Sequence, residues 1–152
     1  MSFLTHKRIK IFGDCADLQT VLELAKRPEI SGFTTNPTLM RRAGILDYRA
    51  FGKRVLRSVK SKPISFEVFA DDWKSMRKQA HEIASWGKNV YVKIPVTNTH
   101  GESAHDLIHA LSHEGVRLNV TGLCTLPQVA VACRALRGGA PAYPNDFRRD
   151  AL

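Results

Sequence analysis

Lys93 stands in Asn89-Val90-Tyr91-Val92-Lys93-Ile94-Pro95-Val96, a segment with the composition of a buried β-strand. Four of the six residues from Val90 to Pro95 are β-branched or aromatic, and Pro95 ends the run. A lysine inside such a run is unusual, because burial strips its ammonium of hydration. An amine kept partly dry gives up its proton more readily. It can then add to a carbonyl and form a Schiff base. The competing reading is a strand-end lysine whose head reaches back to water. Two carboxylates, Asp14 and Glu67, also end strand-like runs, Ile9-Lys10-Ile11-Phe12-Gly13 and Ile64-Ser65-Phe66. One amine with two carboxylates supplies a nucleophile, an acid and a base. Asn36 and Asn119 add paired donors and acceptors suited to vicinal hydroxyls, and Thr35 and Thr121 add hydroxyl groups. Each has a structural alternative. Asp14 can cap a strand end, and Glu67 can merely neutralise Lys93. Thr34-Thr35-Asn36-Pro37 can be a helix-capping turn with proline at the first helical position.

The elements that must hold these residues alternate regularly. Short apolar runs at Arg8 to Gly13, Ile30 to Thr34, Ile64 to Val68, Asn89 to Val96 and Val116 to Val120 read as strands. Between them lie segments of helical period. Asp17 to Ala25 has Asp17 as its N-cap and Leu18, Val21, Leu22 and Ala25 on one face. Pro37 to Ala43 and Asp47 to Val59 are helical pieces divided at Gly44, and Phe51, Val55 and Val59 repeat every four residues in the second. Asp72 caps Trp73 to Trp86, with Met76, Ala80 and Ile83 inward. Glu102 to His113 presents Ala104, Leu107, Ile108 and Leu111, and Gly115 closes it. Pro127 to Leu136 is the last helix.

This β-α repetition specifies an α/β fold with a parallel sheet and right-handed crossovers. Its period fits a doubly wound sheet or a (β/α)8 TIM-type barrel. The polar residues favour the barrel. Asp14, Thr34 to Asn36, Glu67, Lys93 and Asn119 to Thr121 fall at or near the C-terminal ends of five successive strands, which in a barrel converge on one opening. No glycine-rich nucleotide loop follows the first strand.

Several segments together resemble the transaldolase family, nearest its small bacterial members related to fructose-6-phosphate aldolases. They are Ile11-Phe12-Gly13-Asp14-Cys15-Ala16-Asp17, Gly32-Phe33-Thr34-Thr35-Asn36-Pro37-Thr38-Leu39, Ser65-Phe66-Glu67-Val68, Val92-Lys93-Ile94-Pro95-Val96-Thr97 and Leu118-Asn119-Val120-Thr121, with Gln128 beyond. The resemblance runs from about Lys10 to about Ala142. It implies transfer of a dihydroxyacetone unit between sugar phosphates through a Schiff base, with no metal or other cofactor, in the pentose phosphate pathway. The substrates implied are sedoheptulose 7-phosphate, glyceraldehyde 3-phosphate and fructose 6-phosphate. Lys93 is the implied Schiff-base residue and Asp14 the general base. Glu67 and Thr121 hold a proton-shuttling water, and Asn36, Asn119 and Thr35 bind the dihydroxyacetone hydroxyls. A simple aldolase releasing dihydroxyacetone is the alternative within the family.

The family's barrel has eight strands. This sequence is expected to hold one incomplete barrel domain, 1–152, with the first five to five and a half β/α units and an atypical tail over 144–152. Ala140-Pro141-Ala142-Tyr143 reads as the approach to a sixth strand. Neither Arg148 nor Arg149 stands in the context of the family's phosphate-binding arginine. A truncated or frameshifted gene explains this, as does a homo-oligomer that completes the barrel. An inactive remnant or interaction module is the reading outside enzymology.

Composition narrows the classes further. The formal net charge is +9, but the basic residues are dispersed, and no RNA- or DNA-recognition pattern accompanies Lys7-Arg8, Arg41-Arg42 or Arg148-Arg149. No apolar run reaches the roughly 20 residues needed to span a bilayer. The first residues lack a signal-peptide core, so a cytoplasmic location is expected. Cys15, Cys124 and Cys133 form neither a disulfide framework nor a zinc pattern. Cys15 and Cys124 are expected to pack as small hydrophobes. His105, His109 and His113, four apart on one helix, have the spacing of metal ligands but no carboxylate-rich partner segment. Trp73 and Trp86 are expected to pack against neighbouring elements.

Overall fold

A computed structural model describes residues 10–42 and 44–144. Arg8 and Ile9 of the expected first strand, Ala43, and the tail from Asn145 lie outside the described residues. The chain divides into two compact units at Ile64/Ser65.

In the first unit, β1 (Ile11–Asp14) pairs in parallel with β2 (Ile30–Thr34). The register shifts between Ile11 and Phe12: Ile11 faces Ile30 but Phe12 faces Gly32. This irregularity brings Asp14 opposite Thr34, so both strands end on oxygen-bearing side chains. Gly32 is obligatory at that crossing. A Cβ there would lie 2.5 Å from the Phe12 ring and 2.8 Å from Pro63.

Helix α1 (Leu18–Ala25) starts at Asp17, whose carboxylate accepts the Thr20 N–H. Only Val21 of its expected apolar face is buried. Leu22 is 38% exposed and, with Ala25, Ser58 and Val59, lines a hollow of about 400 Å³ that leaves this face incompletely covered. Helices α2 (Pro37–Arg42) and α3 (Tyr48–Ser58) separate at Gly44, whose φ of 74° takes the left-handed conformation that glycine tolerates. Phe51 and Val55 of α3, and Val59 just past it, are buried as their spacing predicts.

Strand β3 (Ile64–Glu67) crosses the unit boundary. The second unit continues with α4 (Trp73–Ala84), β4 (Val90–Pro95), α5 (His105–His113), β5 (Leu118–Thr121), α6 (Leu126–Leu136) and β6 (Ala142–Pro144). β4 pairs in parallel with β5, and β5 with β6. Phe66, Val92, Ile94, Leu118 and Val120 form the buried face of these strands. Met76, Ala80 and Ile83 of α4 and Leu107, Ile108 and Leu111 of α5 are buried on the helices. Trp86 meets the Phe66 ring edge-on at 5.4 Å between centroids, which bears out its expected packing role.

Several boundaries differ from the sequence expectation, and three have a clear local reason. α5 begins at His105 rather than Glu102, because Asn98 Oδ1 accepts the backbone N–H groups of both His100 and Glu102. Those bonds, with a Thr97–Ser103 bridge, hold the segment as a loop. β5 begins at Leu118 rather than Val116, whose N–H closes the end of α5 on Leu111 O beside Gly115 at φ 87°. α4 ends at Ala84, where the Ser85 N–H turns back to His81 and Glu82.

Strands and helices alternate throughout, with parallel pairing within each unit. The chain thus holds the first six strands of a (β/α)8-type barrel, which with helices after the first five make the expected five and a half β/α units. No helix among the described residues is long and apolar enough to cross a membrane.

Candidate active site

Strand alternation sets the site. In β4, Val90, Val92 and Ile94 fill the buried face, which turns Tyr91, Lys93 and Pro95 to the other. Lys93 faces Asn119 in register, and Asn119 faces Tyr143. Ser65 and Glu67 of β3 and Thr121 of β5 share that side by the same two-residue period. One set of strands therefore presents aliphatic residues on one face and an amine, a carboxylate, an amide and hydroxyls on the other.

Lys93 lies fourth in its six-residue strand, one turn of pleat before the end. Its side chain is only 12% exposed, and Nζ donates to Glu67 Oε2 at 3.3 Å. The lysine is therefore held in the sheet rather than extended into water, and the snorkelling alternative does not describe it. The structural alternative for Glu67, that it pairs with Lys93, is realised in this contact.

Asn119 is 2% exposed and donates from Nδ2 to Ser65 Oγ at 3.0 Å, across the strand that carries Lys93. Its Oδ1 is buried and has no hydrogen-bond partner among the described residues. A buried acceptor left unmatched costs about 1–3 kcal/mol. Thr121 Oγ1 makes only a long bond, 3.5 Å, to Ile94 O.

The loops past these strands are fixed. Gln79 Oε1 accepts the N–H groups of Phe69 and Ala70 at 2.8 and 2.9 Å, holding the turn after Glu67. Asp71 accepts the Thr99 N–H at 2.8 Å and its hydroxyl at 2.6 Å, tying the loop after β3 to the loop after β4. The two Thr99 donors hold the Asp71 carboxyl below its ordinary range.

The first unit carries the remaining expected residues. Asp14 Oδ1 accepts the Thr34 hydroxyl at 3.0 Å. Thr35 is buried, its hydroxyl 3.1 Å from that of Tyr48. Asn36 Oδ1 accepts the Thr38 N–H at 2.8 Å, so it caps α2 with Pro37 at the first helical position. The capping alternative for Thr34 to Pro37 is thus realised at the asparagine oxygen. Beside it Cys15 is buried, as expected. Burial first, then the nearby Asp14 and Asp17 carboxylates, push its thiol up to about 11.

Some functions were misplaced or missed. Cys124 is exposed rather than packed. Gln128, part of the family-like set, accepts the Cys124 and Thr125 N–H groups and completes a capping box with Thr125 at the start of α6. Ser65 was missed, although alternation in Ile64-Ser65-Phe66-Glu67 puts it on the face of Glu67. No cluster able to hold a metal occurs among the described residues. The His105, His109 and His113 rings instead stack along α5, with His109 Nδ1 against Ala135 O and His113 Nδ1 against His109 O.

The alternating strands and helices, with parallel pairing, define a protein of the (β/α) barrel class. The matching family model is Transaldolase/Fructose-6-phosphate aldolase, over residues 11–143. The chain belongs to that family. It is 38% identical over 142 residues to a probable transaldolase of Dehalococcoides mccartyi, covering 93% of this chain and 63% of that protein. Similar proteins called probable transaldolase occur in Thermoanaerobacter sp. (38% identical) and Methanococcus maripaludis (34% identical), each match covering 84% of this chain and 56% of the relative. The chain spans about six-tenths of the length of the curated relatives it matches.

Proposed function

We propose that the protein carries out transaldolase-type chemistry, moving a dihydroxyacetone unit between sugar phosphates of the pentose phosphate pathway in the cytoplasm. The observation that carries this reading is the near-buried Lys93 amine beside Glu67, next in register to Asn119 with its unmatched buried oxygen.

Lys93 Nζ adds to the keto carbon of a ketose phosphate. Glu67 and Thr121 hold the water that protonates the resulting oxygen and carries protons as the carbinolamine loses water. The iminium draws electrons from the breaking C3–C4 bond while Asp14 takes the proton of the C4 hydroxyl. An aldose phosphate departs. The enamine left on Lys93 adds to an acceptor aldehyde, whose oxygen takes the proton back from Asp14, and hydrolysis of the resulting iminium frees the new ketose and Lys93. Asn119 Oδ1 accepts from a hydroxyl of the dihydroxyacetone unit, with Asn36 and Thr35 as further contacts. The iminium is the electron sink, so the cycle requires no metal.

Borohydride added with fructose 6-phosphate tests this. The expected product is a stable dihydroxyacetone adduct on the peptide containing Lys93, absent in Lys93→Met. No adduct on a folded chain refutes the Schiff-base role. The family's description also names fructose-6-phosphate aldolase. Turnover that needs no acceptor aldehyde would favour that second activity.

A further inference from the structure

Away from the strand face, α4 and α5 flank an open groove of about 770 Å³. Its volume falls within the roughly 300–1,000 Å³ of small-molecule sites. The α4 wall carries Lys74, Arg77, Lys78 and His81, spaced i, i+3, i+4 and i+7, which is a single stripe along one side of the helix. Met76, Ala80 and Ile83 occupy its buried side. Trp73 lies at the start of the stripe, and Leu107 and Ala110 of α5 give the opposite wall an apolar surface.

Like charges three and four residues apart disfavour a helix unless something answers them. Glu114, just past α5, answers part of the stripe: it pairs with Arg77 and with His81 Nε2 at 2.9 Å. Asp106, the other carboxylate on the α5 side, pairs with its neighbour His105 at 2.9 Å. Neither pair reaches Lys74 or Lys78. The groove thus joins a flat aromatic ring and an aliphatic wall to a short cationic row. From residue 74 to residue 78 that row spans roughly 6 Å at 1.5 Å per residue, which suits a compact ligand better than an extended chain.

We propose that the α4–α5 groove binds a nucleoside phosphate, its base against Trp73, Leu107 and Ala110 and its phosphates among Lys74, Lys78 and Arg77. Aromatic stacking and charge-assisted hydrogen bonds each contribute, so both halves of the ligand are needed.

Titration of the full chain with ADP, adenosine and pyrophosphate, followed by tryptophan fluorescence and calorimetry, tests the site. ADP should saturate at about 1 mM or below, with quenching that disappears in Trp73→Phe. The double variant Lys74→Gln/Lys78→Gln should bind about tenfold or more weakly, and added salt should weaken wild-type binding. Lys93→Met should bind ADP as wild type does, which separates this groove from the proposed catalytic lysine. The proposal is overturned by an absence of saturation, by pyrophosphate or adenosine binding as tightly as ADP, by undiminished binding in the double lysine variant, or by loss of binding in Lys93→Met.

Discussion

The two faces of β3, β4 and β5 in the second unit are made from the same stretches of chain and do opposite work. On one face Phe66, Val92, Ile94, Leu118 and Val120 are sealed from water. On the other, Glu67, Lys93, Asn119 and Thr121 keep polar atoms together, one of them without a partner. A period of two lets adjacent residues answer to different constraints. Lys93 and Ile94 are neighbours in sequence, yet the first should be judged by chemistry and the second by packing.

The largest effect expected from the polar face, after loss of Lys93 itself, is that of Glu67→Gln. The amide keeps the shape but can neither take nor hold a proton as the carboxylate does. Turnover should fall by about 10²–10⁴-fold, the usual contribution of a positioned acid or base. The denaturation midpoint should also fall, since Lys93 is only 12% exposed and loses its charged partner. Full turnover in this variant would reduce Glu67 to a charge partner of Lys93 and erase the contrast between the faces.

Ile94→Ala makes the complementary test. It removes a fully buried side chain from the apolar face. The cost should be about 2–5 kcal/mol in urea unfolding, combining lost transfer energy with the cavity left behind. Activity per folded molecule should stay close to wild type, because the adjacent Lys93 points the other way. Loss of activity without loss of stability would mean that the two faces are not separable.

The apolar face was legible in the sequence and the polar face only partly so. Repeats such as Phe51, Val55 and Val59, or Met76, Ala80 and Ile83, announce themselves because periodicity marks one side of a helix, although the periodic face of α1 is buried only at Val21. Asp17 and Asp72 were legible as caps because a carboxylate before an amphipathic run has few other local uses. Asn36 and Gln128 were harder. An amide that caps a helix has the same residue type, in the same kind of place, as one that binds a substrate, and only coordinates show the oxygen turned to the backbone. The helical pattern starting at Glu102 overshoots the true start at His105, because Asn98 competes for backbone N–H groups in a way that composition does not reveal. Ser65 escaped notice since serine in a strand is unremarkable until its partner, 54 residues away, is known.

Caps sharpen the contrast at a smaller scale, because α4 and α6 solve the same problem with different groups. Asp72 accepts the Ser75 N–H at 2.9 Å at the start of α4, whereas Thr125 accepts the Gln128 N–H at 3.3 Å at the start of α6. The Ser75 backbone and hydroxyl donors hold the Asp72 carboxyl below its ordinary 3.8. Folding lowers that pKa, so the stabilisation is complete above 3.8 and fades as pH falls through the lowered value. Thr125 has no charge to lose. In an NMR titration from neutral pH into acid, the Ser75 amide proton should move upfield with a midpoint below 3.8, while the Gln128 amide stays in place. A Ser75 midpoint at or above the ordinary carboxylate value would show that the donors favour the charged cap no more than water does, and α4 would then be held by its buried Met76, Ala80 and Ile83 face alone.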